Sequence, residues 1–137
     1  MCIRDRKYGV SEVVVDKVRT DGQSTGDFRI VSGQATDVEG RVGIIQDDLS
    51  VTCGSLAGAS KPVKDWKPKE LIACLSHLPT EAGAISKLKA SGMVSRVIAT
   101  NSHPRALRDA KAEPDFLTLV SMACVATDAV FAQTKRA

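Results

Sequence analysis

Short apolar runs recur along the chain, separated by polar or glycine-containing stretches. Runs this short that contain β-branched residues are typical of strands. We predict strands at Glu12–Asp16, Phe28–Val31, Val42–Gln46, Leu71–Leu75, Val94–Ala99 and Phe116–Val120. The unbroken apolar character of Val42–Gln46 predicts a central strand that is buried on both faces of its sheet.

Helical signals lie between several of these runs. Pro79-Thr80-Glu81 is typical of a helix start and Gly92 of a helix end, so a helix is expected to about Ala90. Another helix is expected after the loop Leu49–Ser55. Pro62 should shorten, kink or displace that helix, because proline costs about 3 kcal/mol in a helix interior.

The remaining segments complete the predicted order. We expect a last helix at Met122–Thr134, a mobile loop at Val18–Asp27 and a polar connection at Ala106–Pro114. Repeated β-α-β units of this spacing predict an α/β fold with a doubly wound, mostly parallel sheet flanked by helices. We assign the domain to residues 7–137, because Met1–Arg6 resembles the translation of a sequencing adapter.

Composition excludes several classes of protein. The 137 residues are enough for one domain with its own core, and 19 basic against 16 acidic residues give a net charge of only +3. So small a charge, with only 4% aromatic residues, argues against a nucleic-acid partner. No apolar run approaches the roughly 20 residues of a membrane span.

The cysteines give no metal or disulfide pattern. No two lie at the C-x-x-C spacing, so no metal site is predicted and a reducing cytoplasm is the expected location. The four cysteines are Cys2, Cys53, Cys74 and Cys124.

Candidate chemistry follows the strand Val42–Gln46. Ligands of open parallel sheets bind outside the carboxyl ends of the strands, and Asp47-Asp48 stands at that end. Adjacent carboxylates can accept hydrogen bonds from sugar hydroxyls or bind Mg²⁺ through water. The stretch Thr52–Ser55 offers hydroxyls, a glycine and the start of a helix, which together suit a phosphate. An ordinary strand–loop–helix junction is the alternative interpretation.

The segment Val42–Leu56 resembles the diphosphate-sugar signature of the ribose-phosphate diphosphokinase family, a branch of the type I phosphoribosyltransferases. Four further segments resemble the family in the same order. Asp16–Arg19 is similar to the base of its flexible catalytic loop, and Asp37–Arg41 to its turn before the signature strand. Ala73–His77 and Val97–Ser102 are similar to two later strand ends.

The resemblance implies transfer of diphosphate from MgATP to the 1-hydroxyl of ribose 5-phosphate, a step of nucleotide biosynthesis. It implies that Lys17 and Arg19 are catalytic cations and that Asp47 and Asp48 hold the ribose hydroxyls. It further implies a loop that binds the 5-phosphate. The residues of that loop are Thr52, Cys53, Gly54 and Ser55.

The resemblance also implies that this chain is the C-terminal half of a two-domain enzyme. The absent N-terminal half would carry most of the ATP site and the ligands of Mg²⁺, so no metal ligand is assigned in this chain. The expected partners are ribose 5-phosphate, ATP and further copies of the full-length protein in a homo-oligomer, with neither nucleic acid nor membrane.

Two departures from the family pattern leave alternatives open. Val51 stands where the family has an aspartate, and Val18 replaces an arginine of the catalytic loop. A non-catalytic homologue that regulates the synthetase is one alternative, and a transferase that consumes phosphoribosyl diphosphate is another. Lys17, Arg19 and the intact Asp47-Asp48 pair oppose the first. The Lys-x-Arg loop and the Thr-Asn strand end at Thr100 favour a synthetase over the second.

Overall fold

The computed structural model describes residues 9–20 and 23–134. Three strands come first, and helices and strands then alternate. The expected adapter segment, residues 1–6, lies outside the described residues. In chain order the elements are β1 (Val14–Thr20), β2 (Gln23–Ser32), β3 (Val42–Leu49), α1 (Gly54–Lys64), β4 (Glu70–His77), α2 (Ala84–Ser91), β5 (Arg96–Thr100), α3 (Pro104–Ala112), β6 (Leu117–Val120) and α4 (Ala123–Thr134).

Strands β3 to β6 form one parallel sheet in the order β3-β4-β5-β6. Each crossover connection leads from one strand to the adjacent strand, always in the same direction across the sheet. Because such crossovers are right-handed, α1, α2 and α3 lie on the same face of the sheet. The predicted α/β fold, with a parallel sheet flanked by helices, is confirmed.

The core lies between that face and the three helices. Leu71, Ala73 and Leu75 of β4 alternate with half-buried neighbours, so one face of the strand is the better covered. Their buried partners come from the neighbouring strands, the helices and the connections between them, and include Leu56, Val63, Leu78, Ile85, Leu88, Val97, Ala99, Ala106 and Leu117.

The prediction that Val42–Gln46 is central and buried on both faces is wrong. Strand β3 is an edge of the four-stranded sheet, with Val42 51% and Ile44 66% exposed. The apolar residues of a strand indicate that its side chains are to be buried, but not which element buries them. Within the described ranges, no strand pairs with the outer edge of β3. A groove of about 730 Å³ is lined by β3, by part of α1 and by the segment Val10–Val15.

The prediction of a loop at Val18–Asp27 is also wrong for the described residues, whereas its mobility stays a prediction. Strands β1 and β2 pair antiparallel as far as Thr20 and Gln23. The strand expected at Glu12–Asp16 is the start of β1, and its Val14 is exposed. The pairing places Lys17 opposite Phe28, and the ring of Phe28 packs on Gly58 of α1. This apolar contact holds a pair of strands whose polar composition predicted a loop.

Two helix predictions need correction. Helix α2 begins at Ala84, after Gly83 in a left-handed conformation, so Pro79-Thr80-Glu81 does not start it. The predicted polar connection at Ala106–Pro114 is mostly helix α3, whose start is capped by the His103 side chain. The face of α3 that packs against the core consists of Ala106, Asp109 and Ala110. Small and charged residues at these positions do not form the stripe of large apolar residues by which a helix is usually identified in a sequence.

The other predicted elements are confirmed with shifted ends. Pro62 lies inside α1, which ends two residues later at Lys64. In the described part of the chain, no helix has both the length and the apolar character needed to cross a membrane.

Candidate functional site

Two carboxylates lie near the carboxyl end of β3. Asp47 is half-buried and Asp48 is exposed. Each accepts a hydrogen bond from the next backbone amide, Asp48 N to Asp47 Oδ1 at 2.9 Å and Leu49 N to Asp48 Oδ1 at 2.7 Å. Burial, and the neighbouring carboxylate of Asp48, raise the pKa of Asp47, although the amide bond partly offsets this. Both carboxylates keep free lone pairs that could accept sugar hydroxyls.

The chain then makes a tight loop into α1. Cys53 precedes the helix with φ of 61°, in the left-handed region that non-glycine residues rarely adopt. Thr52 Oγ1 accepts from Gly54 N at 3.3 Å, and Ala57 N donates to Cys53 O at 3.0 Å as the first helical bond. Backbone held in an unfavourable region is frequent at ligand sites. The amides of the first turn have no intrahelical acceptor and suit an anion.

The Cys53 side chain points into the core rather than toward a ligand. It is 2% exposed and caps no amide of α1. Burial raises the pKa of its thiol, which keeps the thiol protonated and unreactive. Any contribution of Cys53 to a phosphate site therefore comes from its backbone.

The end of β4 lies beside the start of this loop, because His77 is in register with Leu49. His77 Nδ1 lies 2.7 Å from Ser102 Oγ. The Ser102 and Thr100 hydroxyls both donate to the carbonyl of Ser76. This hydrogen-bonded group makes the carboxyl edge of the sheet polar where β4 and β5 end.

The predicted catalytic cations, Lys17 and Arg19, lie on strand β1 of the β1–β2 hairpin and not in a flexible loop. The Lys17 ammonium lies 5.8 Å from the centre of the Phe28 ring, a distance at which a cation and an aromatic ring attract. Arg19 pairs with Ser24 through the β1–β2 ladder. Among the described contacts, no hydrogen bond or ion pair joins Lys17 to Asp47 or to the Thr52–Ser55 loop.

Sequence reasoning missed the residues that support the loop from behind. Glu81 N donates to Val51 O at 2.9 Å, and the buried Thr80 donates to the buried Asp109 of α3. The only sequence signal for these supporting residues was the polar pair Arg108-Asp109, which lies in the predicted connection Ala106–Pro114. Within the described ranges, no three His, Cys, Asp or Glu side chains group as metal ligands.

Known proteins resemble this chain over most of its length. No family model matches the sequence. The ribose-phosphate pyrophosphokinase of Parasynechococcus marenigrum (strain WH8102) is 33% identical over 91 residues, which are 66% of this chain and 26% of the relative. The chloroplastic ribose-phosphate pyrophosphokinase 1 of Oryza sativa subsp. japonica is 33% identical over 110 residues, 80% of this chain and 26% of the relative.

A solved structure agrees with these relatives. The crystal structure of phosphoribosylpyrophosphate synthetase from Mycobacterium smegmatis superimposes with a TM-score of 0.63 at 26% identity, covering 84% of this chain and 36% of that one. The relatives named here are synthetases, so they favour neither the regulatory homologue nor the transferase that consumes phosphoribosyl diphosphate. The chain spans about a quarter of the length of the curated relatives it matches.

Proposed function

Because the chain is related to the ribose-phosphate pyrophosphokinases through most of its length, we propose that it forms the C-terminal half of such an enzyme. The whole enzyme would transfer diphosphate from MgATP to the 1-hydroxyl of ribose 5-phosphate. The observation that carries the proposal is the tight loop between β3 and α1, which follows two carboxylates and turns through Cys53 in a left-handed conformation.

In this proposal the loop binds the 5-phosphate of the sugar. The backbone amides of Cys53, Gly54 and Ser55 and the hydroxyls of Thr52 and Ser55 donate to phosphate oxygens. Asp47 and Asp48 accept hydrogen bonds from the ribose hydroxyls. A sugar phosphate offers both groups in one molecule, hydroxyls at one end and an anion at the other, and so suits this order of residues.

Lys17 and Arg19 would neutralise the negative charge that gathers on the transferred phosphoryl oxygens. A hairpin packed on α1 can deliver a cation on a long side chain to the carboxyl edge, provided that Lys17 leaves the Phe28 ring. Such a movement on substrate binding is usual for segments that cover active sites.

The nucleotide and its Mg²⁺ would be held mainly outside this chain. Asp47 and Asp48 do not form a metal cage with a third described ligand, so Mg²⁺ would arrive with ATP. The chemistry it supplies when bound is neutralisation of phosphate charge. We further propose that the complete protein is a cytoplasmic homo-oligomer, a proposal supported only by its relation to this family of metabolic enzymes.

Calorimetric titration of the chain with ribose 5-phosphate, inorganic phosphate and ribose tests the assignment. Ribose 5-phosphate and phosphate should bind, and ribose should bind far more weakly. Asp48→Asn should weaken ribose 5-phosphate binding by about tenfold, since a hydrogen bond to a charged group is lost, and should leave phosphate binding unchanged or tighter.

The matched control is Asp65→Asn, a carboxylate at the opposite end of α1, which should change neither affinity. Absence of heat with both phosphate ligands at millimolar concentration would refute the proposed function. Equal weakening of both ligands by Asp48→Asn would refute the role given to that carboxylate.

A further inference from the structure

Two buried polar side chains meet behind the phosphate loop. Thr80 is fully buried and Asp109 is 5% exposed. The Thr80 hydroxyl donates to Asp109 Oδ2, while Arg108 Nε donates to Oδ1 at 2.8 Å and Arg108 Nη2 lies 2.7 Å from the same oxygen. Burying a carboxylate costs several kcal/mol unless both oxygens are paired. Here both are paired.

Two arginines of α3 also hold the backbone around Thr80. Arg105 Nη1 donates to the carbonyls of Pro79 and Thr80 at 3.3 and 3.4 Å. Arg108 Nη2 donates to the carbonyls of Thr80 and Glu81 at 3.1 and 3.5 Å. Side chains of one helix thus fix three consecutive residues that belong to no strand or helix.

That fixed segment in turn holds the loop. Glu81 N donates to Val51 O at 2.9 Å, one residue before Thr52. The loop residues Ser50 and Cys53 on either side are 5% and 2% exposed, so this part of the backbone has little freedom to shift. Contacts therefore run from Asp109 through Thr80 and Glu81 to the backbone that would bind the phosphate.

We propose that Thr80 and Asp109 are positioning residues, which hold the Val51–Cys53 backbone in the conformation that receives a sugar phosphate. The inference rests on the proposed function, because it concerns the same loop. Amides that are already in place bind an anion more tightly than amides that must first be ordered. Neither residue needs to touch the ligand to affect its affinity.

The test compares Thr80→Val with Thr80→Ser. Valine keeps the shape but leaves the buried Asp109 oxygen without its donor, whereas serine restores the hydroxyl. Thr80→Val should weaken ribose 5-phosphate binding by about tenfold. Without ligand it should also speed amide exchange at Glu81, whose N–H donates to Val51 O, and at Gly54, whose N–H donates to Thr52 Oγ1. Thr80→Ser should restore both to within about twofold.

Ser60→Ala is the matched control. Ser60 is also fully buried, and its hydroxyl donates to Leu56 O at 2.7 Å in the middle of α1. This variant removes a buried hydroxyl without leaving a carboxylate unpaired, and it should leave both readouts unchanged. If Thr80→Val does not fold, Arg105→Gln removes an exposed anchor of the same segment, and it should weaken binding by about threefold with faster loop exchange.

The outcomes separate the two proposals. Unchanged affinity and unchanged loop exchange in Thr80→Val or Arg105→Gln would overturn the positioning role and leave the proposed function intact. If the unaltered chain binds neither ribose 5-phosphate nor phosphate, the proposed function fails. Amide exchange then decides alone whether Thr80 and Asp109 fix the loop.

Discussion

Val51 is the residue at which this site differs most from the pattern it resembles. Its side chain is 40% exposed, while its carbonyl is fixed by Glu81 N. The side chain can therefore be changed without disturbing the backbone. A carboxylate here would have room to meet a sugar hydroxyl.

We predict that Val51→Asp tightens ribose 5-phosphate binding. A hydrogen bond that involves a charged group is worth roughly 1.5–3 kcal/mol, and repulsion from the phosphate favours the lower end, or about tenfold in affinity. Calorimetry on both proteins measures the change, and Val51→Leu should bind like the unaltered chain. Unchanged or weaker binding by Val51→Asp would show that the loop is not a sugar-phosphate site of this kind at that position.

Asp47 makes a second prediction at the residue scale. Burial raises its pKa, so the folded chain holds this proton more firmly than the unfolded chain does. Stability contributed by such a group falls as pH rises through the two pKa values. The ionised carboxylate thus costs stability at neutral pH.

Asp47→Asn keeps an oxygen for the Asp48 amide and removes that charge. It should melt higher than the unaltered chain at pH 7 and lose sugar-phosphate affinity. The difference in melting temperature should shrink as pH falls through the raised pKa toward the ordinary value of 3.8. Circular dichroism melts between neutral pH and pH 3 measure it, and a gap that widens on acidification would contradict the prediction.

At the scale of elements, the packing of the β1–β2 hairpin on α1 depends on one glycine. A β-carbon on Gly58 would lie 2.3 Å from Cε2 and 2.6 Å from Cδ2 of Phe28. Alanine is favoured over glycine in a helix by about 1 kcal/mol, but a contact this close forces the ring or the hairpin away. The steric loss should exceed the gain in helix propensity.

Gly58→Ala should therefore destabilise the chain, whereas the same change in a Phe28→Ala background should stabilise it by up to about 1 kcal/mol. Urea unfolding of the four proteins gives the coupling between the two residues. Stabilisation by Gly58→Ala with Phe28 present would show that the hairpin does not pack on α1 as described.

The sequence determined the parallel strands better than the segments between them. Leu71–Leu75 and Val94–Ala99 were predicted as strands, and β4 and β5 include most of each run. Helix α3 was missed because its buried residues are few, although His103 and Pro104 form a capped start of the kind that begins helices. A local signal was present there, but it was weaker than the polar composition around it.

The candidate site could be predicted only where its residues are consecutive. Asp47-Asp48 and Thr52–Ser55 lie in one stretch, so spacing alone suggested them. Thr80 and Asp109 are 29 positions apart, and only the fold brings them together behind Val51. A buried carboxylate paired by tertiary contacts leaves no periodic signal in a sequence.

At the scale of the whole molecule, the proposed function leaves the nucleotide site mainly outside this chain. The isolated 137-residue chain should bind ribose 5-phosphate but form no phosphoribosyl diphosphate from it and ATP. Positioning of the nucleotide accounts for much of the rate in reactions of this class. Release of AMP that depends on ribose 5-phosphate would contradict this prediction. The Asp48→Asn variant is the control, because an activity from a contaminating enzyme would persist in it.

The outer edge of β3 also has a practical consequence for handling the protein. An edge strand that pairs on one side with no other described strand is a template on which another strand can add. Val42 and Ile44 are both more than half exposed there, so concentrated solutions of this chain should aggregate through intermolecular β-pairing. Ile44→Lys should prevent this aggregation, because a charged side chain on an edge strand opposes pairing with another chain. Light scattering that rises with concentration in the unaltered chain but not in Ile44→Lys would identify this edge as the site where aggregation begins.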